Sequence, residues 1–451
     1  MKKEYDMTSG PFMKKLVLFA LPVTMTGLLQ IVYNTADTVV VGRFAGKEAL
    51  AAVGSTGSLI SLIVNLFVGI AMGAGVLTAR HLGAKNNLKV YQDVHTAISL
   101  SIISGFIIAA FGISMARILL VKMNAPPDTL PLSVLYVRIY FAGAPGSMLF
   151  NFGAAILRST GDTQRPLKYL AVSGLLNIAL NLFTVTVLGL GVAGVGLATI
   201  ASQYLTAILV TVHLTRTDTA IRLKINKLHL NKPALLEMLR IGLPAGFQNA
   251  LFSISNVIIQ SNVNSFGSAA MAGISAGSNF DSYIYTVTNG FSQAAMTFTS
   301  QNIGAKKKEN LGKIFRLCFI TASVAAVILS CAGFIFRESI VGIFSKDPEV
   351  IRLGAERMEQ IMPFYTFCSL LDVVNGSIRG FGHSFDVMLI SLAGTCGLRL
   401  LWVFFVLPLD RTLRMLYWAY PISWFATLAA AFILYMVLLR KYANNNKNLP
   451  R

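Results

Sequence analysis

Twelve apolar windows, each about 20 residues long or longer, run through this chain of 451 residues. A helix of about 20 residues crosses a hydrocarbon core of about 30 Å, so the windows predict twelve membrane-spanning helices. Hydrophobic residues make up 55% of the chain and charged residues 13%, a balance typical of a polytopic membrane protein. The windows lie at 16–41, 52–78, 94–120, 130–156, 167–188, 190–213, 236–264, 270–300, 314–336, 358–379, 387–409 and 414–439.

Basic residues are distributed unevenly over the connections between these windows. If the N-terminus is cytoplasmic, about 26 Lys and Arg face the cytoplasm and about 10 face outside, as the positive-inside rule requires. We therefore expect a multi-pass protein of the plasma membrane with both termini in the cytoplasm. The net charge of +19 is spread over many short loops, which favours contact with anionic membrane lipid over nucleic-acid binding.

The second half of the chain repeats motifs of the first. LRSTGDT at 157–163 is similar to IRGFGHS at 378–384, and HLGAKNNLKV at 81–90 is similar to NIGAKKKENL at 302–311; both pairs are 221 positions apart. A repeat close to half the chain length predicts two homologous halves of six spans each.

The repeat predicts an N-terminal lobe at 1–213, a cytoplasmic connector at 214–235 and a C-terminal lobe at 236–451. Because six spans return the chain to the same side, we expect an axis along the membrane normal to relate the halves, with the substrate cavity between them. The predicted fold class is an all-α integral membrane protein with twelve transmembrane helices in two pseudo-symmetric six-helix lobes.

An acidic residue interrupts the first window, LLQIVYNTADTVVVG. Gln30, Asn34 and Asp37 recur there at the spacing of one helix face. A carboxylate costs about 2.5 to 3.5 kcal/mol at a helix centre on insertion scales, so Asp37 requires a polar neighbour or a water-filled cavity. Asp37 is therefore the candidate ligand of a small cation, either a metal ion such as Na⁺ or a proton. Asn34, Asn177 and Asn181 are candidate oxygen ligands, although each amide alone could instead join two helices.

The second half carries its charges at other positions. Asp372 and Arg399 lie on consecutive spans, so an internal ion pair and a role in substrate binding or coupling are both open. The candidate residues for binding an organic cation are Asp281, Asp372, Tyr283, Gln293 and Gln30.

The sequence contains no recognisable nucleotide loop or enzyme centre. GRFAGKEA at 42–49 has one residue too few between its glycines for a phosphate loop and no Ser or Thr after Lys47. No nucleophile, base and orienting group converge, so we expect neither an enzyme nor a cofactor. A secondary transporter driven by Na⁺ or H⁺ is the expected class.

The chain resembles the multidrug and toxic compound extrusion family of cation-coupled antiporters. YNTADTVVVGRF in the first window, GVAGVGLATIASQ at 191–203, TFTSQNIGA at 297–305 and the repeated motifs carry the resemblance over almost the whole chain. The resemblance implies alternating opening of a central cavity and export of small organic cations in exchange for Na⁺ or H⁺. A flippase of lipid-linked precursors or polysaccharides, from the same broader superfamily, is the alternative.

Position by position, the resemblance implies that Asp37 binds the coupling cation together with Asn177 and Thr199. At the position of Asn181 the family often has Asp, whereas this chain has an amide. One carboxylate would then offer one negative charge to one monovalent cation. The expected partners are the exported compound, the coupling ion and membrane lipid, and the expected functional unit is a monomer.

Overall fold

A computed structural model describes residues 6–123 and 126–444. Within this part the chain forms α-helices with short π-helical and 3-10 segments, and no strand. In chain order the α-helices are α1 (Phe12–Val40), α2 (Lys47–Gly83), α3 (Asn87–Lys122), α4 (Leu130–Ala142), α5 (Ala144–Ser159), α6 (Gln164–Leu182), α7 (Gly191–Arg216), α8 (Lys232–Asn264), α9 (Ser268–Gly304), α10 (Glu309–Ile335), α11 (Arg337–Gly342), α12 (Pro348–Ile361), α13 (Tyr365–Gly380), α14 (Ser384–Ser391), α15 (Leu398–Leu401) and α16 (Leu413–Asn444).

Each predicted window corresponds to one helical segment of the described chain, although some segments are bent or broken. Among the described residues, nine segments are long and apolar enough to cross a membrane, and α4 with α5, bent by 46°, makes a tenth. α8 and α9 have 33 and 37 residues but carry more polar side chains, which lowers their hydropathy. The eleventh window is interrupted by π-helical turns at Leu392–Gly397 and Trp402–Val406.

Packing divides the chain into two compact units. Unit 1 contains Met25–Gly246, and unit 2 contains Met7–Thr24 and the described residues from Phe247 onward. α1 and α8 are therefore each divided, because their N-terminal and C-terminal parts belong to different units. The lobe limits predicted above follow the sequence repeat, so the two divisions assign residues 7–24 and 236–246 differently.

Within unit 1, α2 crosses the N-terminal part of α8 at two pairs of glycines. A Cβ atom on Gly69 would lie 2.3 Å from the backbone nitrogen of Gly246, and one on Gly73 would lie 2.3 Å from the carbonyl oxygen of Met238. A Cβ on Gly242 would lie 2.5 Å from the Cα of Ile70 on α2. Small residues spaced four apart let two membrane helices approach this closely. The glycines thus bring the two backbones into direct contact.

A corresponding crossing occurs within unit 2 between α9 and the N-terminal part of α1. A Cβ atom on Gly290 would lie 2.5 Å from Thr24 Oγ1 and 2.9 Å from the carbonyl oxygen of Ala20. Gly290 follows Gly69 by 221 positions, the period of the sequence repeat. In each unit, therefore, the second helix of one repeat packs through a glycine against the first helix of the other repeat: α2 packs on α8 in unit 1, and α9 packs on α1 in unit 2.

The residues that precede α1 are held in unit 2. The Met7 backbone N–H donates to Gln301 Oε1 at 3.3 Å, and Asn302 Nδ2 donates to the Met7 carbonyl at 2.9 Å. The Lys307 ammonium donates to the Thr8 carbonyl at 2.9 Å. These bonds attach the start of α1 to the connection between α9 and α10.

The connector that precedes α8 is held in unit 1 in a comparable way. The Lys224 backbone N–H donates to His95 Nε2, and the Asn231 backbone N–H donates to Thr96 Oγ1, both at 3.1 Å. Leu223 is buried in the hydrophobic core that α3 shares with α2, α5 and α7. The predicted connector is therefore a packed segment of unit 1.

We expect Gly73→Ala to destabilise the protein because the added methyl group would collide with backbone of α8, and overpacking typically costs about 1 to 3 kcal/mol. Gly54→Ala is the matched control, since nothing lies within 4 Å of a Cβ at that position of α2. Thermal unfolding of the detergent-purified protein should give a lower midpoint for Gly73→Ala and an unchanged or higher one for Gly54→Ala. Equal midpoints for the two variants would contradict the described crossing.

Candidate cation and substrate sites

The carboxylate of Asp37 on α1 accepts a hydrogen bond from the side-chain amide of Asn181 on α6. Asn181 Nδ2 lies 2.5 Å from Asp37 Oδ1 and 3.2 Å from Asn177 Oδ1. The two asparagines are buried, and Asp37 is half-buried. The structure thus brings three of the five predicted cation-site residues together within unit 1.

This contact uses the nitrogen of the Asn181 side-chain amide and leaves its oxygen without a hydrogen-bond donor. Asn181 Oδ1 is enclosed, and none of the described residues donates a hydrogen bond to it. A buried acceptor left without a partner costs about 1 to 3 kcal/mol. A cation beside the Asp37 carboxylate would give this oxygen a partner, since hard cations take carboxylate and amide oxygens as ligands. The donor set therefore fits a small hard cation.

Two tyrosines of α4 also belong to the surroundings of Asp37. Tyr136 and Tyr140 pack in the hydrophobic cluster that contains Val40 and Val41, which follow Asp37 in the chain. Their rings are 6.2 Å apart between centroids, one helical turn from each other. The sequence prediction missed both, because a tyrosine in an apolar window is commonly an interfacial residue.

The remaining predicted residues of unit 1 are placed differently. The Thr199 hydroxyl donates to the carbonyl of Val195, in its own helix, at 2.9 Å. Asn34 is exposed, and its backbone carbonyl accepts a hydrogen bond from the Thr38 hydroxyl at 2.9 Å. Gln30 is exposed as well. The cation role of Asn34 and Thr199 and the substrate role of Gln30 stay predictions.

Both helices that form the Asp37–Asn181 contact change their geometry directly after it. α1 continues as a π-helical turn at Val41–Ala45, and α6 continues as one at Phe183–Val187. The two turns contact each other. π-Helical turns occur frequently at functional sites, and here they follow the polar contact by four residues in α1 and two in α6.

The ring of Tyr33, one helical turn before Asp37, packs directly on Gly174 of α6. A Cβ atom on Gly174 would lie 1.9 Å from Cζ of this ring, and the Tyr33 hydroxyl donates to the Ala171 carbonyl at 3.3 Å. Any side chain at Gly174 would therefore require the Tyr33 ring to move. This packing fixes the approach of α1 to α6 next to the carboxylate.

In unit 2, Asp281 on α9 forms an ion pair that the sequence analysis did not predict. Its Oδ2 atom accepts a hydrogen bond from Arg357 Nη2 on α12 at 2.5 Å. The Tyr365 hydroxyl donates to the backbone carbonyl of Asp281 at 3.1 Å. The arginine was missed because the sequence places it in a charged segment between windows, whereas it is only 3% exposed.

Asp372 on α13 differs from Asp281 in its surroundings. Its Oδ2 atom is enclosed and has no hydrogen-bond partner among the described residues. Its backbone carbonyl accepts a hydrogen bond from the Ser292 hydroxyl on α9 at 2.6 Å. Two other predicted substrate residues lie on the same helix as Ser292: Gln293 donates to Asn289 Oδ1 at 2.8 Å, and Tyr283 is 42% exposed.

The ion pair between Asp372 and Arg399, one of the two possibilities raised above, does not form between these described residues. Arg399 Nε instead donates to Ser423 Oγ at 3.1 Å, and Nη1 donates to Asn256 Oδ1 at 3.4 Å. The guanidinium carbon lies 4.5 Å from the ring centroid of Tyr420. Arg399 is therefore surrounded by neutral and aromatic groups.

Arg379, from the repeated IRGFGHS motif, joins three helices of unit 2. Its Nη2 atom donates to Gln248 Oε1 on α8 at 2.7 Å. Gln248 Nε2 in turn donates to Ser391 Oγ on α14 at 2.9 Å. The repeated arginine thus connects α13 to the helices beside it.

The two halves of the chain match one known protein family. The MatE family model matches residues 22–183 and 244–405, one match in each half of the chain. The chain belongs to the MatE family.

Relatives and solved structures agree with this assignment. Two proteins of Bacillus subtilis strain 168 are similar to this MatE chain: the probable multidrug resistance protein YoeA is 27% identical and YpnP is 26% identical. The YoeA match covers 95% of this chain and 94% of the relative, and the YpnP match covers 86% and 87%.

A crystal structure described as MATE in complex with MaL6 has a TM-score of 0.91 at 21% identity, covering 98% of this chain and 100% of that chain. This similarity and the family match confirm the predicted fold class of twelve transmembrane helices in two six-helix lobes.

The buried ion pair between Arg357 and Asp281 is expected to contribute to the stability of this MatE protein. Arg357→Gln would leave the Asp281 carboxylate buried without its cation, so we expect a loss of about 3 to 5 kcal/mol in the free energy of unfolding. Thermal unfolding should show a large decrease for this variant. The double variant Asp281→Asn with Arg357→Gln should recover much of the loss, because no uncompensated charge remains. If the double variant were less stable than Arg357→Gln alone, the uncompensated charge of Asp281 would not be the cause of the lost stability.

Proposed function

We propose that this protein is a secondary active antiporter that exports organic cations, including drugs and toxic compounds, in exchange for Na⁺ or H⁺. It belongs to a transporter family, and the names of YoeA and YpnP as probable multidrug resistance proteins support drug export. It would work as a monomer in the plasma membrane, by alternating access, with both termini in the cytoplasm. No enzymatic step and no cofactor form part of the proposal.

The hydrogen bond between Asn181 and Asp37 is the observation that carries the proposal. It puts a carboxylate inside a membrane-spanning pair of helices and leaves the Asn181 Oδ1 atom without a donor. A Na⁺ ion would satisfy the carboxylate and this oxygen together, whereas a proton would neutralise the carboxylate alone. Either cation removes the cost of an uncompensated charge in the membrane.

Coupling follows if neutralising Asp37 changes the preference between the two conformations of the transporter. A ligand shifts a conformational equilibrium only by the difference between its affinities for the two states. Moving a population from 1:99 to 99:1 requires a ratio of about 10⁴ between those affinities. The coupling ion and the drug must therefore prefer opposite states, and the contact between α1 and α6 is the element that the ion would change.

Asp372 is the strongest candidate for binding the positive charge of the exported compound. Its Oδ2 atom has no hydrogen-bond partner among the described residues, whereas the charge of Asp281 is compensated by Arg357. Tyr283, Gln293 and Gln30 are proposed as further substrate contacts. The alternative of a lipid-linked precursor flippase is less favoured, because the similar proteins carry names of drug-resistance proteins.

We expect Asp37→Asn to abolish gradient-driven efflux, because the neutral amide cannot be neutralised by a cation. Purified protein would be reconstituted into liposomes, and efflux of a fluorescent organic cation would be measured with a Na⁺ gradient or a pH gradient imposed separately. The gradient that drives efflux in the unmodified protein identifies the coupling ion.

Glu48→Gln is the matched control for this experiment. It removes an exposed acid from the start of α2 and should leave efflux unchanged. If Asp37→Asn transports as fast as the control under the driving gradient, Asp37 is not the coupling residue and the mechanism is wrong.

A further inference from the structure

Arg399 is a permanent positive charge inside a membrane-spanning segment of unit 2. It lies on α15, between the π-helical turns Leu392–Gly397 and Trp402–Val406, and its relative exposure is 5%. Arginine stays protonated in proteins, so this charge cannot be removed by loss of a proton. A buried charge requires compensation, usually by an ion of opposite sign.

No carboxylate in the described part of the chain forms an ion pair with Arg399. Its hydrogen bonds go to the neutral side chains of Ser423 and Asn256. Two rings contact the guanidinium: its carbon lies 4.5 Å from the centroid of Tyr420 and 5.9 Å from that of Trp424. Cation–π contacts and neutral hydrogen bonds orient a guanidinium but supply no opposite charge.

These contacts leave some N–H donors of the Arg399 guanidinium without an acceptor among the described residues. Of the five N–H donors of an arginine, one on Nε and one on Nη1 are used. Nη2 donates no hydrogen bond within the described residues and is not among the fully enclosed polar atoms. Asn256, which holds Nη1, is itself exposed on α8. The free donors can therefore meet a ligand, and paired N–H groups of this kind match a carboxylate.

The sequence repeat aligns this arginine with a residue of the cation site in the first half. Arg399 follows Asn177 by 222 positions, and Asn256 follows Asn34 by the same number. This is the offset between the two MatE matches and one more than the 221 positions between the repeated motifs. In unit 1, the first and fifth spans of the repeat meet at the Asp37 carboxylate. In unit 2, the corresponding spans meet at a guanidinium. The two halves therefore have related polar contacts of opposite charge.

We propose that Arg399 binds a carboxylate group of the exported compound, so that the preferred substrates carry an anionic group in addition to their positive charge. This proposal rests on the proposed export function and adds a specificity residue to it. The aromatic pair of Tyr420 and Trp424 orients the guanidinium, and the carboxylate supplies the missing negative charge. A substrate without this group would leave Arg399 uncompensated and would bind more weakly.

Two dyes that differ in one group test the proposal. A rhodamine ethyl ester is a cation, whereas the corresponding free acid is a zwitterion at neutral pH. Binding to the detergent-purified protein would be measured by the fluorescence anisotropy of each dye, and efflux would be measured in liposomes. We expect Arg399→Gln to weaken binding of the acid about tenfold or more, the usual effect of losing a charge-assisted hydrogen bond, and to leave binding of the ester within about twofold.

Two further variants keep the test independent of folding. Arg399→Lys retains the charge and should restore part of the affinity for the acid. Arg352→Gln removes an exposed arginine of the same unit and should change neither dye. Equal losses for both dyes would show that Arg399 only supports the structure, and unchanged binding of the acid would also overturn the proposal.

Replacing chloride by methanesulfonate, a larger anion that carries no carboxylate, distinguishes the carboxylate of the exported compound from a free inorganic anion. If chloride occupied Arg399, its removal would alter efflux of the ester in the unmodified protein but not in Arg399→Gln, and the assignment to the exported compound would be wrong. Failure of the proposed function has a different signature: neither dye would be driven outward by a Na⁺ or pH gradient, whereas dye binding would still report on Arg399.

Discussion

The bond between the Asn181 amide and the Asp37 carboxylate is the interaction on which the functional half of this structure depends. A carboxylate on α1 would be costly in a membrane without a polar neighbour, and α6 supplies that neighbour. The Tyr33 ring against Gly174 then sets how closely the helices approach. An interaction that is local and incompletely satisfied is sensitive to a single added charge, which is what the proposed coupling role of Asp37 requires.

The charges of Asp281, Asp372 and Arg399 in unit 2 are not all compensated within the protein. Asp281 has its counter-charge within the protein, since Arg357 lies 2.5 Å away. Asp372 and Arg399 have none at ion-pair distance among the described residues. The first arrangement stabilises the fold irrespective of ligand, whereas the other two leave charges that a bound substrate would compensate under the proposed function. Function is therefore expected where compensation is incomplete.

Much of the fold could be predicted because its signals are local. Length and hydropathy locate the spans, and motifs such as LRSTGDT with IRGFGHS reveal the repeat. The proximity of Asp37 to Asn181 could be proposed from residue type, but the ion pair of Arg357 could not. Its formation depends on how α12 packs on α9, and a charged segment between windows carries no signal of that packing. The neutral and aromatic surroundings of Arg399 were likewise hidden, because they come from two other helices, α8 and α16, that are distant from it in the sequence.

The division of α1 between the units has a consequence for biogenesis. Residues 7–24 pack in unit 2 against α9 and the residues that follow it, and the hydrogen-bond partners of Thr24 and Met7 lie 263 and 294 residues later in the chain. The N-terminal part of α1 must therefore wait for much of the chain before it reaches its final contacts, and such a high contact order slows folding. A fragment ending at the connector would lack these partners of residues 7–24.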